Sequence, residues 1–217
     1  KHVVDRMHCN THVMRQHHDE HEKGENHHNT LDQTGLNIAE HIKSLLAFAR
    51  QDHLQKKPED IGDIVSTSLK MMMEQFPENF ELNTSIEDNQ IALINRSQFI
   101  QCIMNLTKNA LDAVEDVESP VLDVSVRSIG SYSDDDIHFD EAIEIIVADN
   151  GCGIPEDTIG EIVEPFYTTK EVGKGTGLGL SMVHGAAAEY GGKLIISSVI
   201  NKGTNMRIIL PVHIDKV

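Results

Sequence analysis

The chain has 217 residues, long enough for one moderate domain with an appendage, and an apolar fraction with few aromatics and no Trp points to a core of Ile, Leu, Val, Met and Ala. A net charge of −17 excludes general nucleic-acid binding and adhesion to anionic membrane, so a polyanionic ligand would need a local cationic patch and a divalent metal. Cys9, Cys102 and Cys152 form an odd, widely spaced set that excludes a disulfide framework; with no signal peptide and no stretch of membrane-spanning length, the expectation is a cytoplasmic fragment, or the cytoplasmic part of a membrane-anchored receptor.

Residues 1–30 crowd together His2, His8, His12, His17, His18, His21, His27 and His28. Val3, Val4, Met7, Thr11 and Met14 recur at helical spacing, which predicts a helix to about Gln16 before a turn at Gly24, Asn26 and Asn29. The i, i+4 pairs His8/His12 and His17/His21 fit either a solvated helix face or a metal site. Leu31, Ile38, Ile42, Leu45, Leu46, Phe48 and Ala49 make an apolar stripe on a second helix to about His53, of the kind that seeks partner helices. Lys56-Lys57-Pro58 ends it and sets the boundary between a helical hairpin, 1–56, and a domain over 57–217.

After the boundary, Asp60 is expected to cap a helix carrying Ile61, Ile64, Val65, Leu69, Met72 and Met73, the Met run serving as core filler. Strands are expected over Phe80–Ile86 and Ile91–Ile94, then a helix capped by Ser97 and running to about Val114. A strand over Val121–Ile129 leads through a solvated acidic loop, Asp134-Asp135-Asp136, to a buried strand over Ala142–Ala148. A short helix over Pro155–Val163, a helix over Ser181–Tyr190 and a hairpin of Lys193–Val199 with Asn205–Leu210 complete the pattern. This order implies an α+β fold, a two-layer α/β sandwich with a mixed sheet and helices on one face, preceded by the helical hairpin.

Four stretches carry chemistry. Gly173-Lys174-Gly175-Thr176-Gly177-Leu178-Gly179-Leu180 opens a helix; its glycines fit either a flexible connector or a loop whose amides face phosphate at a helix N-terminus. Its order matches neither the Walker loop nor the dinucleotide fingerprint. Asn105, Lys108, Asn109 and Asp112 share one side of a helix, either as a polar outer face or with Asn109 giving an oxygen to hydrated Mg²⁺ and Lys108 near phosphate. Asp149 at the end of a buried strand either caps the turn or accepts a hydrogen bond from an adenine amine, with Gly151 and Gly153 leaving room for a flat base. Phe166-Tyr167-Thr168-Thr169-Lys170 brings Lys170, with Lys174, to a lid as phosphate counter-charges.

With these four stretches in order, the chain resembles the catalytic, ATP-binding part of bacterial sensor histidine kinases, in the superfamily that includes gyrase, the heat-shock chaperone and the mismatch-repair ATPase. The N box falls at Asn105–Ala110, the first G box at Asp149–Gly153, the F box at Phe166–Lys170 and the second G box at Gly173–Gly179. The likeness covers about Asp60 to Val212, and Leu45–Arg50 resembles the end of the second dimerisation helix in nitrogen-regulatory kinases. It implies that Asn109 ligands Mg²⁺, that Asp149 binds the adenine amine beside Gly151 and Gly153, and that Gly175, Thr176, Gly177 and Gly179 wrap the phosphates of ATP. The hydrolytic relatives carry a Glu as general base where this chain has Asn105, a poor base, which suits transfer to a protein nucleophile.

The resemblance implies a homodimer through the hairpin and an aspartate on a response-regulator receiver domain as the next acceptor. No His in residues 1–30 is followed by the acidic residue, Asn or Thr, and Pro-Leu of the family's phosphoacceptor. The acceptor is therefore not identified. The alternatives are a catalytically silent nucleotide-binding scaffold and a hydrolytic ATPase.

Overall fold

The computed structural model describes residues 55–170 and 175–214. The His-rich segment, the helix expected over Leu31–His53 and Lys174 lie outside the described residues. Among the described residues, no helix is long and apolar enough to cross a membrane.

A two-stranded ribbon pairs β1 (Lys57–Asp60) with β3 (Ile91–Ile94). The main sheet has the order β2 (Glu81–Ile86), β4 (Val121–Ser133), β5 (His138–Asp149), β7 (Gly203–Pro211) and β6 (Lys193–Val199). Only β2 and β4 run parallel, so the sheet is mixed. Helices α1 (Ile61–Met72), α2 (Arg96–Ala113) and α3 (Gly179–Glu189) cover one face of it.

Helical periodicity selects what each helix buries. On α1 the buried set includes Ile61, Ile64, Val65, Ser68, Leu69 and Met72, and on α2 it includes Phe99, Cys102, Ile103, Leu106 and Ala110. These meet Leu122, Val124 and Val126 of β4, Ile143, Ile145 and Val147 of β5, and Met206, Ile208 and Leu210 of β7, which alternate along their strands. Burial pushes the Cys102 thiol up to about 12, so it behaves as a small apolar side chain of this core.

The structure corrects several local expectations. Asp60 caps α1 as expected, its Oδ1 accepting from the Gly62 N–H at 2.9 Å. Asn95, however, caps α2 by accepting from the Gln98 N–H at 3.0 Å, so Ser97 is inside the helix. Of the Met run only Met72 is buried; Met71 and Met73 are exposed, because they fall off the buried stripe as α1 ends. The segment Pro155–Val163 holds a 3-10 turn at Glu156–Thr158 in place of a longer helix. The strand pair around the acidic loop is longer than expected, with β4 reaching Ser133 and β5 starting at His138.

That loop is also bonded, not merely solvated. Asp134 accepts from the N–H groups of Asp136 and Ile137 and from the Tyr132 hydroxyl, and Asp134 and Asp136 both pair with Lys193 on the far edge strand. The extended hairpin is thereby tied to β6.

Glu144 sits at the middle of central β5 on the face away from the helices and is 1 % exposed. Its neighbour across the sheet, Arg127, donates from Nε to Oε2 at 2.6 Å, and Arg207 of β7 donates from Nε to Oε1 at 2.8 Å. Burial works to raise this carboxyl, but the hydrogen bonds from the two guanidiniums outweigh it and its pKa is lowered. A lowered pKa adds stability above the ordinary glutamate value, and that stability is lost as pH falls through the folded-state pKa. Glu144→Gln should therefore cost about 2 kcal/mol at neutral pH by urea unfolding, and the gap to the natural protein should close in acid.

Candidate functional site

Helix α2 carries the site along its length. Near its middle, the Asn105 amide donates to the Gly179 carbonyl at 3.3 Å and its Oδ1 accepts from the Gln101 side chain at 3.1 Å, so Asn105 joins α2 to the start of α3. One turn on, Asn109 Oδ1 lies 3.4 Å from Lys170 Nζ, and the next turn brings Asp112, whose Oδ2 pairs with the same ammonium. Lys108 is exposed on the same helix. At the C-terminal end, the Ala113 carbonyl accepts from the Cys152 N–H at 3.0 Å.

This last bond requires close approach. A Cβ on Gly151 would lie 2.5 Å from the Ala113 oxygen, so only glycine lets the turn after β5 meet the helix. The same turn is pinned by Asn150, which accepts from the Val121 N–H at 2.9 Å and donates to the Ser119 carbonyl at 2.8 Å.

Asp149 ends β5, with Leu122 and Thr204 beside it in the sheet register. Its Oδ1 accepts from the Gly151 N–H at 2.8 Å and the Thr204 N–H at 3.3 Å. Burial raises its pKa, only partly offset by these two donors. A carboxylate in this position is costly to keep ionised until a further donor reaches it.

Ser198 and Thr204 belong to the same corner and were not singled out from the sequence. Ser198 Oγ accepts from the Ile154 N–H at 2.7 Å and lies 2.9 Å from Thr204 Oγ1, which ties the residues after Gly153 to β6 and β7. Two hydroxyls in a closing hairpin carry no signal by themselves; the strand register that brings them level with Asp149 is what reveals them.

The F-box segment and the glycine run lie against each other. The Phe166 N–H donates to the Gly177 carbonyl at 2.9 Å, and Gly177, at φ +64°, would place a Cβ 2.4 Å from the Phe166 backbone. Thr176 Oγ1 accepts from the Leu178 N–H at 3.2 Å, and buried Leu178 precedes α3, whose N-terminal amides open toward this loop. Thus Asn105, Asn109, Lys170, Gly175, Thr176, Gly177, Leu178 and Gly179 form one cluster, and Asp149, Gly151 and Gly153 a second, joined through α2. A cavity of about 260 Å³ at the other end of α3, lined by Lys56, Tyr190, Val212 and His213 among others, includes none of these residues.

Gly151→Ala should destabilise the fold by about 1–3 kcal/mol in denaturant titration, as overpacking against fixed backbone does. Gly160→Ala, where a Cβ meets open space, is the control and should be nearly neutral.

The sequence pattern of the family described as histidine kinase-, DNA gyrase B-, and HSP90-like ATPase matches residues 94–214. The chain is 34% identical over 192 residues to the sensor kinase CckA of Brucella abortus, covering 86% of this chain and 20% of that protein. It is 27% identical over 179 residues to the sensory histidine kinase/phosphatase NtrB of Rhizobium leguminosarum bv. phaseoli, covering 80% of this chain and 46% of NtrB. It therefore spans less than half of either relative. Among solved structures, full-length ShkA in complex with AMPPNP matches with a TM-score of 0.65 at 21% identity, over 83% of this chain and 37% of that one. The mycobacterial sensor histidine kinase MprB matches with a TM-score of 0.58 at 21% identity, over 73% of this chain and 98% of that one. Both likenesses establish the fold of the described domain.

Proposed function

Because the chain belongs to the histidine kinase-, DNA gyrase B- and HSP90-like ATPase family, we propose that it is the catalytic part of a sensor histidine kinase, binding Mg·ATP and passing the γ-phosphoryl group to a histidine. In this reading Asp149 Oδ2 accepts the adenine amine, and Gly151 and Gly153 make room for the base. Gly175, Thr176, Gly177, Leu178 and Gly179 wrap the phosphates at the α3 N-terminus, with Lys108, Lys170 and Lys174 as counter-charges.

Asn109 Oδ1 is the oxygen we assign to Mg²⁺. The fit is supported by the cation already found there: the Lys170 ammonium lies 3.4 Å from Asn109 Oδ1 and pairs with Asp112. Among the described residues no group of three or more His, Cys, Asp or Glu side chains could hold a metal, so most ligands would come from phosphate and water, as is usual for this ion. Bound Mg²⁺ would supply charge neutralisation on the phosphates.

The observation that favours transfer over hydrolysis is Asn105. An amide held between Gln101 and the Gly179 carbonyl has no basic group to take a proton from water. The reaction is then an in-line displacement, in which the bond from phosphorus to the ADP oxygen breaks as one to an imidazole nitrogen forms. In the whole protein an aspartate of a response-regulator receiver domain would take the group next, and paired helical hairpins would form a homodimer of the nitrogen-regulatory type.

The direct test is incubation of the chain with γ-labelled ATP and Mg²⁺. Acid-labile, alkali-stable label on a histidine is expected, and Asn109→Ala should abolish it. Steady phosphate release without labelled protein would favour a hydrolytic ATPase, and bound ATP with neither outcome would mean that the acceptor lies outside this chain or that the protein is a silent scaffold.

Asp149 gives a separate check. Because burial raises its pKa, nucleotide affinity should fall with decreasing pH above the range where an ordinary aspartate titrates. Asp149→Asn should weaken binding by about 1–3 kcal/mol at neutral pH and flatten this pH dependence, as calorimetric titration can read.

A further inference from the structure

We infer that Asp112 is a positioning residue that holds the Lys170 ammonium at the phosphate end of the site. The inference rests on the reading of Lys170 as a phosphate counter-charge and adds the residue that makes it one.

Lys170 is fixed at both ends. Its stem leans on the start of the glycine run, since a Cβ on Gly175 would lie 3.1 Å from Lys170 Cδ and 3.0 Å from Thr168 Oγ1. Its backbone N–H donates to the same Thr168 hydroxyl at 3.2 Å. Its head pairs with Asp112 and reaches Asn109 Oδ1 at 3.4 Å. Asp112 and Asn109 are three residues apart on α2, so they face the ammonium from one side of the helix.

An ammonium has three donors. The Asp112 carboxylate takes one, and the long contact to Asn109 is the one a metal ion would replace, leaving donors for a terminal phosphate while the Asp112 pair stays intact. Without Asp112 a flexible four-carbon stem would carry its charge into solvent. The two side chains are 35% and 38% exposed, so the pair adds little to the stability of the fold. Its location, between the helix that bears Asn109 and the segment that borders the glycine run, is what gives it a role.

The test is calorimetric binding of ADP and of the β,γ-imido analogue of ATP to the full chain in excess Mg²⁺. Lys170→Met should weaken the ATP analogue about tenfold and ADP much less, the size expected for one charged hydrogen bond to the terminal phosphate. Asp112→Asn should reproduce most of that loss and the same preference, yet change little in the Lys170→Met background, because Asp112 acts through Lys170. Asp112→Glu should recover part of the affinity. An unaltered thermal unfolding midpoint shows that Asp112→Asn is folded; Asp112→Ser takes its place if it is not.

Unchanged analogue binding in Lys170→Met would overturn the counter-charge reading and the inference with it. A normal Lys170→Met loss with no effect of Asp112→Asn would overturn the inference alone. An equal Asp112→Asn loss in both backgrounds would do the same, since Asp112 would then act on the metal directly.

Discussion

The arrangement depends on the contact between the C-terminal turn of α2 and the turn that follows β5. The Cys152 N–H reaches the Ala113 carbonyl only because Gly151 has no side chain, and that bond locks the polar side of α2 against the end of the central strand. Everything else is measured from it. Asn105, Asn109 and Asp112 are spaced along the helix by its own geometry, and Asp149 is placed by the sheet. A shift of α2 along the sheet would therefore move Asn105, Asn109 and Asp112 relative to Asp149, however well each cluster was built.

The sheet opposes such a shift from its other face. Glu144, buried in the central strand, holds guanidiniums from the strands on both sides of it, and the acidic turn of the β4–β5 hairpin reaches across to Lys193. These are directional bonds on the face away from α1, α2 and α3, and they help to fix the strand register there. The part bearing Phe166 and the glycine run is joined to the remainder differently. Among the described residues, its links include the Phe166–Gly177 backbone bond and the Lys170 contacts to α2, with Phe166 itself 65% exposed.

Much of this was legible in the sequence because it rests on local rules. The buried stripes of α1 and α2 follow from a 3.6-residue period, the alternation in β4 from a period of two, and the Asp60 cap from its place before Ile61. The glycine run, Asn109 and Asp149 stood out because polar or flexible residues there interrupt those patterns. What escaped needs long-range register. Ser198 and Thr204 become part of the Asp149 corner only when β6, β7 and β5 are aligned, and β1 exists only because residues from Lys57 pair with Ile91–Ile94. The acidic loop read as solvated because its partner, Lys193, lies 57 and 59 positions away. Asn95 took the cap from Ser97 because both are good caps two residues apart, and the chain enters the helix from β3.

One scaffold of this kind would serve phosphoryl transfer and a related one hydrolysis. Both uses need a polyanion neutralised and held in line, which loop amides, a helix N-terminus and cations provide without covalent chemistry. In the proposed reading the two uses differ at the residue one turn before Asn109. Here Asn105 donates to the Gly179 carbonyl and accepts from Gln101, so its amide is spent on joining two helices. A carboxylate at this position would face the Gly179 carbonyl as a second acceptor, with no proton to donate at neutral pH. The choice of Asn thus removes a base for water and stabilises the start of α3, the helix whose N-terminus follows the glycine run. In the proposed kinase the two effects act together: the phosphate-binding end is held in place, and the γ-phosphoryl group is left for a nucleophile that another part of the protein must bring.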